Sequence, residues 1–93
     1  PTVSFAAPND GATFTEGDDL NVTVTASDTE GSVVDVELYY DDNLVGTDDE
    51  DPYTWMILNL TEGTHTLRAK ATDDEGAETE TSMSITVEEE NTG

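Results

Sequence analysis

Cysteine is absent, so disulfide bridges and thiolate metal centres are excluded. Bases are almost absent too: Arg68 and Lys70 stand against 23 acids, and the formal net charge is −21. A chain this acidic repels the phosphates of nucleic acid and anionic membrane surfaces. No apolar run approaches the ~20 residues of a membrane span. One histidine and no glycine-rich phosphate loop leave little for catalysis, and carboxylate pairs alone need a shaped cleft and separated pKa values. The chain is read as a non-enzyme that inserts in no membrane. Both ends read as cuts in a longer polypeptide, outside which any targeting segment would lie.

What is present is alternation. Only 33% of the residues are hydrophobic, a proportion that with such charge can mean disorder, but here they recur with the two-residue period of strands. "LNVTVTAS" sets Leu20, Val22, Val24 and Ala26 on one face. "VVDVELYY" does the same with Val34, Val36 and Leu38, "THTLRAKAT" with Leu67, Ala69 and Ala71, and "TSMSITV" with Met83, Ile85 and Val87. Shorter strands are expected at Val3–Phe5, Asn43–Thr47 and Tyr53–Leu58. Ninety-three residues make one domain, and about seven strands separated by Gly, Asp, Asn and Pro predict an all-β antiparallel sandwich over 1–88 with an acidic tail over 89–93. The expected core is Val3, Phe5, Leu20, Val22, Val24, Val36, Leu38, Trp55, Leu67, Ala69, Ile85 and Val87. Asp41-Asp42 should form a tight hairpin turn, with Leu38 opposite Val45.

The order "PTVSF", "NDGATFTEGDDLNVTVTASDTEGSVVDVELYYDDNLVGTD", "PYTW", "EGTHTLRAKATDDEGA" and a final "ITV" resembles the bacterial Ig-like accessory domains over nearly the whole chain. That resemblance implies an Ig-like sandwich that serves as a spacer, adhesive repeat or stabilising neighbour in secreted enzymes and cell-surface proteins, hence an extracellular or cell-surface location. Two positions depart from the family pattern. His65 stands where an aromatic, often Tyr, precedes "TL"; there it could bond back to the backbone through a ring nitrogen, as the tyrosine corner of Ig sandwiches does. Ile57 stands where many members carry a large aromatic, which leaves Trp55 as the main aromatic anchor.

In this strand order three acidic connections emerge at one end. They carry Asp28 and Glu30; Asp48, Asp49, Glu50 and Asp51; and Asp73, Asp74 and Glu75. Carboxylates are the ligands calcium prefers, so calcium is the cofactor this end would suit, although the spacing matches no EF-hand. The remaining acids are nearly as dense elsewhere, which favours a coat adapted to high salt over a single site. At molar salt the Debye length shrinks to about 3 Å and most repulsion is screened. Asn21-Val22-Thr23 and Asn59-Leu60-Thr61 match the N-glycosylation acceptor pattern, a match that also arises by chance in a Thr-rich chain. Arg68 and Lys70 should point outward together, flanked by Asp35 and Glu37 on one side and Glu78 and Glu80 on the other.

The sequence therefore predicts a structural, spacer or adhesive module of a surface protein such as a filament, S-layer or virion component. Its partners would be neighbouring domains of the same chain or copies of itself. An accessory module of a secreted polysaccharide-degrading enzyme is the alternative. A glycan-binding module is the third reading, with Tyr39 the best outward ring and Tyr40 and Tyr53 also candidates.

Overall fold

The computed structural model describes residues 1–29 and 31–90. Eight strands follow one another: β1 (Thr2–Ala7), β2 (Thr13–Thr15), β3 (Leu20–Ser27), β4 (Val33–Tyr40), β5 (Asn43–Asp48), β6 (Tyr53–Ile57), β7 (Gly63–Asp73) and β8 (Glu78–Glu88). They form a sandwich of two sheets, β1-β3-β6 and β2-β8-β7-β4-β5. Seven of the eight are the strands the alternation predicts. The eighth, β2, is three residues long and runs parallel to β8, a pairing too short and too distant in sequence for periodicity to signal.

The inward faces meet as predicted. Leu20, Val22 and Val24 of β3 face Val36 and Leu38 of β4, Leu67, Ala69 and Ala71 of β7, and Met83, Ile85 and Val87 of β8 in one buried cluster. Tyr53 and Leu60 join it, while Val3, Phe5, Trp55 and Ile57 are half-buried against it. Val3 and Phe5 lie on β1, and Trp55 and Ile57 on β6, the two edges of the smaller sheet; burial there is partial because one flank has no neighbouring strand.

Two bulges overturn local expectations. One between Val33 and Asp35 breaks the β4–β7 ladder, so Val34 turns outward and is 47% exposed, with Val33 packing against the core instead. A bulged strand carries one unpaired residue, which flips the alternation on one side of it. The other bulge, between Leu38 and Tyr39, pairs Leu38 with Gly46 and Tyr39 with Leu44, leaving Val45 exposed rather than opposite Leu38. A Cβ on Gly46 would lie 3.3 Å from Trp55 Cδ1, a contact that only a small shift of the indole would relieve. The turn itself is as expected. Asp41 and Asp42 have φ of 50° and 67°, the pair of left-handed residues that a two-residue hairpin requires.

The domain is a rod of 55 × 19 × 18 Å. One pole holds Pro1, whose carbonyl accepts a bond from Thr79 Oγ1 at 2.7 Å, with the β3–β4, β5–β6 and β7–β8 connections. The opposite pole holds the end of β8, bonded through Glu88 O to Glu16 N, and the β4–β5 turn.

Candidate functional site

At the first pole the fold gathers some of the predicted acids. The carboxylates of Asp28, Asp73 and Asp74 lie within 4.8 Å of one another. Asp73 is fixed by its own loop, Oδ1 accepting from Glu75 N at 2.9 Å and Ala77 N at 2.8 Å. Burial pushes its carboxyl up, but those two N–H donors and a side-chain hydrogen bond with Asp28 hold it below the usual carboxylate range. Asp74 sits against the backbone of the β3–β4 connection, where a Cβ on Gly31 would come within 2.5 Å of Oδ1. Among the described residues, Asp48, Asp49, Asp51 and Glu75 are not part of this group, and Glu30 lies outside the described residues.

Asp48 does something else. Its Oδ1 accepts from Glu50 N at 3.1 Å and its Oδ2 from Thr54 N at 3.2 Å, so the first acid of "DDED" ties the loop to the edge of β6. The buried Tyr53 phenol feels this run: burial first, then Asp51, Asp48, Asp35 and Asp49, push its pKa up. Asp10, Asp18, Asp19 and Asp41 likewise accept backbone N–H bonds, from Ser84, Thr15, Asn59 and Thr66. All of these acids are Asp; Asp48 bonds two residues on as in an Asx turn, while Asp10, Asp19 and Asp41 reach backbone of distant segments. The acidity is thus partly loop architecture, which composition alone did not reveal; Asp at the strand ends was the available signal.

Nor is the charge evenly spread. β1, β3 and β6 contain no charged residue at all. The outer face of their sheet exposes Thr2, Ser4, Asn21, Thr25, Ser27, Thr54 and Met56, with hydroxyl pairs Thr2–Ser27 and Ser4–Thr25 at 2.8 Å. Asn21, one of the two acceptor asparagines, belongs to this face; Asn59, with φ 56°, is exposed in the connection before β7.

The bases form the expected stripe on the larger sheet. Arg68 Nη1 reaches Glu80 at 2.6 Å and Nη2 reaches Asp42 at 3.8 Å; Lys70 Nζ lies 3.1 Å from Glu37 and 3.3 Å from Glu78. The hydrogen bonds that Lys70 donates to Glu37 and Glu78 push its pKa up to about 12. Asp35 takes no part in these pairs. The double variant Arg68→Gln, Lys70→Gln should lower the melting temperature more in dilute buffer than in molar KCl, because it removes the charges that separate two acidic strands. Equal losses at both salt levels, measured by thermal melts, would instead assign the effect to packing of the side-chain stems.

The aromatic rings form no open platform. The guanidinium of Arg68 lies 4.2 Å above Tyr39, Tyr53 is buried, Trp55 packs against the core, and Tyr40 stacks on His65 at 4.9 Å. His65 bonds back to the backbone as expected, its Nε2 meeting Thr61 O at 2.7 Å, while its Nδ1 meets Asp41 Oδ2 at 2.5 Å. Burial works to lower the His65 pKa, but the bonds to Asp41 and Thr61 and the Asp41 charge outweigh it and raise it. Asp41 in turn is held low: burial opposes, and the bonds from His65 and Thr66 prevail.

A family model described as "Bacterial Ig domain" matches residues 1–69. The chain is 36% identical over 84 residues to the long isoform of ulvan lyase from Alteromonas sp. (strain LOR), and 34% to that from Pseudoalteromonas sp. (strain PLSV). Each match covers 81% of this chain, and the chain spans only 8% of the length of either relative. Among solved structures, the fibronectin(III)-like modules of Clostridium thermocellum CbhA match with a TM-score of 0.85 and 32% identity, over 95% of this chain and 46% of that one.

Proposed function

Because this chain belongs to the bacterial Ig domain family, we propose that it is a non-catalytic accessory module of an extracellular multidomain protein, acting as a spacer that tolerates high salt. The observation that carries the reading is the placement of the first and last strands' outer ends at opposite poles of a 55 Å rod. Such a module inserts length between its neighbours and holds them apart. The likeness to a small part of ulvan lyase makes a polysaccharide lyase the favoured parent. The only histidine is engaged by Asp41, Thr61 and Tyr40, which leaves the side chain best suited to acid–base chemistry occupied with structure. Glycan binding finds less support, since the candidate rings are capped or packed and an anionic polysaccharide would meet a charge of −21. A neighbouring domain could pack without like-charge repulsion against the uncharged outer face of β1-β3-β6.

Deleting residues 1–88 from the parent polypeptide tests this. The rate on soluble substrate should stay within about twofold, and the isolated module should release no product from ulvan. A loss of kcat of tenfold or more, about 1.4 kcal/mol of barrier, would place a residue of this module in an active site and overturn the reading.

A further inference from the structure

The two short contacts of the His65 ring are both with acceptors. Nε2 faces the carbonyl oxygen of Thr61 at 2.7 Å, with Thr61 Oγ1 further off at 3.5 Å, and Nδ1 faces a carboxylate oxygen of Asp41. A neutral imidazole carries one N–H, so in either tautomer one ring nitrogen would present a lone pair to an oxygen lone pair. Only the doubly protonated ring satisfies both contacts. The other oxygen of Asp41 is already committed, Oδ1 accepting from Thr66 N at 2.9 Å, so the carboxylate cannot turn away without giving up a backbone bond.

We propose that His65 is a proton-operated clasp: its imidazolium ties the β4–β5 turn, through Asp41, to the connection before β7, through Thr61, and loss of the proton opens this pole of the domain. The groups around it favour the charged ring. Asp41 is in contact, Asp42 follows it in the turn and is paired with Arg68, Glu62 lies in the connection, and the residue opposite on β8 is the uncharged Ile85. Tyr40, stacked on the ring, stays neutral throughout, since burial and then the Asp41 charge push its phenol up to about 12. The clasp's pH window follows from the raised His65 pKa. Stability from the ring is fully present below the unfolded value of about 6.5 and is lost as pH rises through the higher folded value. Asp41 has the opposite sign. Its share is present above the unfolded carboxylate value of about 3.9 and is lost as pH falls through the lower folded one. Between those limits the clasp holds in full.

The test is an NMR titration of the His65 ring in the folded chain and in the same chain unfolded in urea, both in molar KCl. Molar salt matters, because a charge of −21 raises any histidine pKa in dilute buffer. The folded midpoint should lie above the unfolded one, and Asp41→Asn should bring it down. Amide signals that shift with the ring should map to the β4–β5 turn and to Thr61–Gly63. The melting temperature should fall across the same titration in the native chain and stay level in His65→Gln, which keeps a donor without the charge. A folded midpoint at or below the unfolded one overturns the proposal. So does a raised midpoint that survives Asp41→Asn, which would trace it to net charge rather than to the clasp. Where Asp41→Asn itself fails to fold, the level profile of His65→Gln decides the matter.

Discussion

Leu38→Ala should destabilise the domain by about 2–5 kcal/mol, while Val34→Ala, four residues earlier on the same strand, should change stability by less than about 0.5 kcal/mol. Leu38 is fully buried between the sheets, among Leu67, Ile85 and the valines of β3, and its truncation leaves a cavity that rigid strands cannot fill. Val34 sits at the β4 bulge and points to solvent. For a domain of this size each kcal/mol moves the melting temperature by roughly 4–8 °C, so the larger loss amounts to tens of degrees. Against a total stability of roughly 5–15 kcal/mol, Leu38→Ala approaches the limit of what the fold can bear. Chemical denaturation of the two variants checks both figures. Comparable losses at the two positions would mean that β4 runs without the bulge, with Val34 in the core, as plain alternation predicts.

That contrast shows what the sequence could and could not convey. Alternation reports which residues share a face only while the ladder is unbroken. It therefore located β3, β7 and β8 and their inward residues, and it failed at Val34 on β4 and Val45 on β5, where a bulge resets the count. Asp41-Asp42 was legible because few residues accept two successive left-handed conformations, and Asp is one that does. His65 was legible as a corner residue from its place before Thr66-Leu67. Its engagement with Asp41 was not, because the two are 24 residues apart and meet only through the pairing of β4 with β7. The cluster Asp28–Asp73–Asp74 could be assigned to one pole from strand order, but proximity within a pole depends on how each loop folds over its own Asp. The charge-free sheet was available to inspection as three strand segments without an acid or a base; what the sequence alone did not provide was that those three pair with one another.

Apart from the acids paired with Arg68 and Lys70 and from the clustered Asp28 and Asp74, two kinds of acid have different consequences. Asp10, Asp18, Asp19, Asp41, Asp48 and Asp73 accept hydrogen bonds from backbone N–H groups. At Asp41 and Asp73 these bonds outweigh burial and hold the carboxyl below its ordinary range, so they are lost only as pH falls through that lowered value. The others, such as Glu16, Asp49, Glu50, Glu89 and Glu90, are exposed and contribute mainly repulsion in dilute buffer. Only Arg68 and Lys70 offset them, and both are already committed to acids on their own sheet. Relief has to come from solution.

A melting series in KCl, set beside a calcium titration at constant ionic strength, therefore tests the account most directly. The Debye length shortens from about 30 Å at 0.01 M to about 3 Å at 1 M, so the melting temperature should climb substantially and progressively over that range. Sodium chloride should match KCl, and millimolar calcium at fixed ionic strength should add little. Saturable stabilisation by millimolar calcium, unmatched by magnesium and with little response to KCl, would contradict it and assign a divalent cation to Asp28, Asp73 and Asp74 instead.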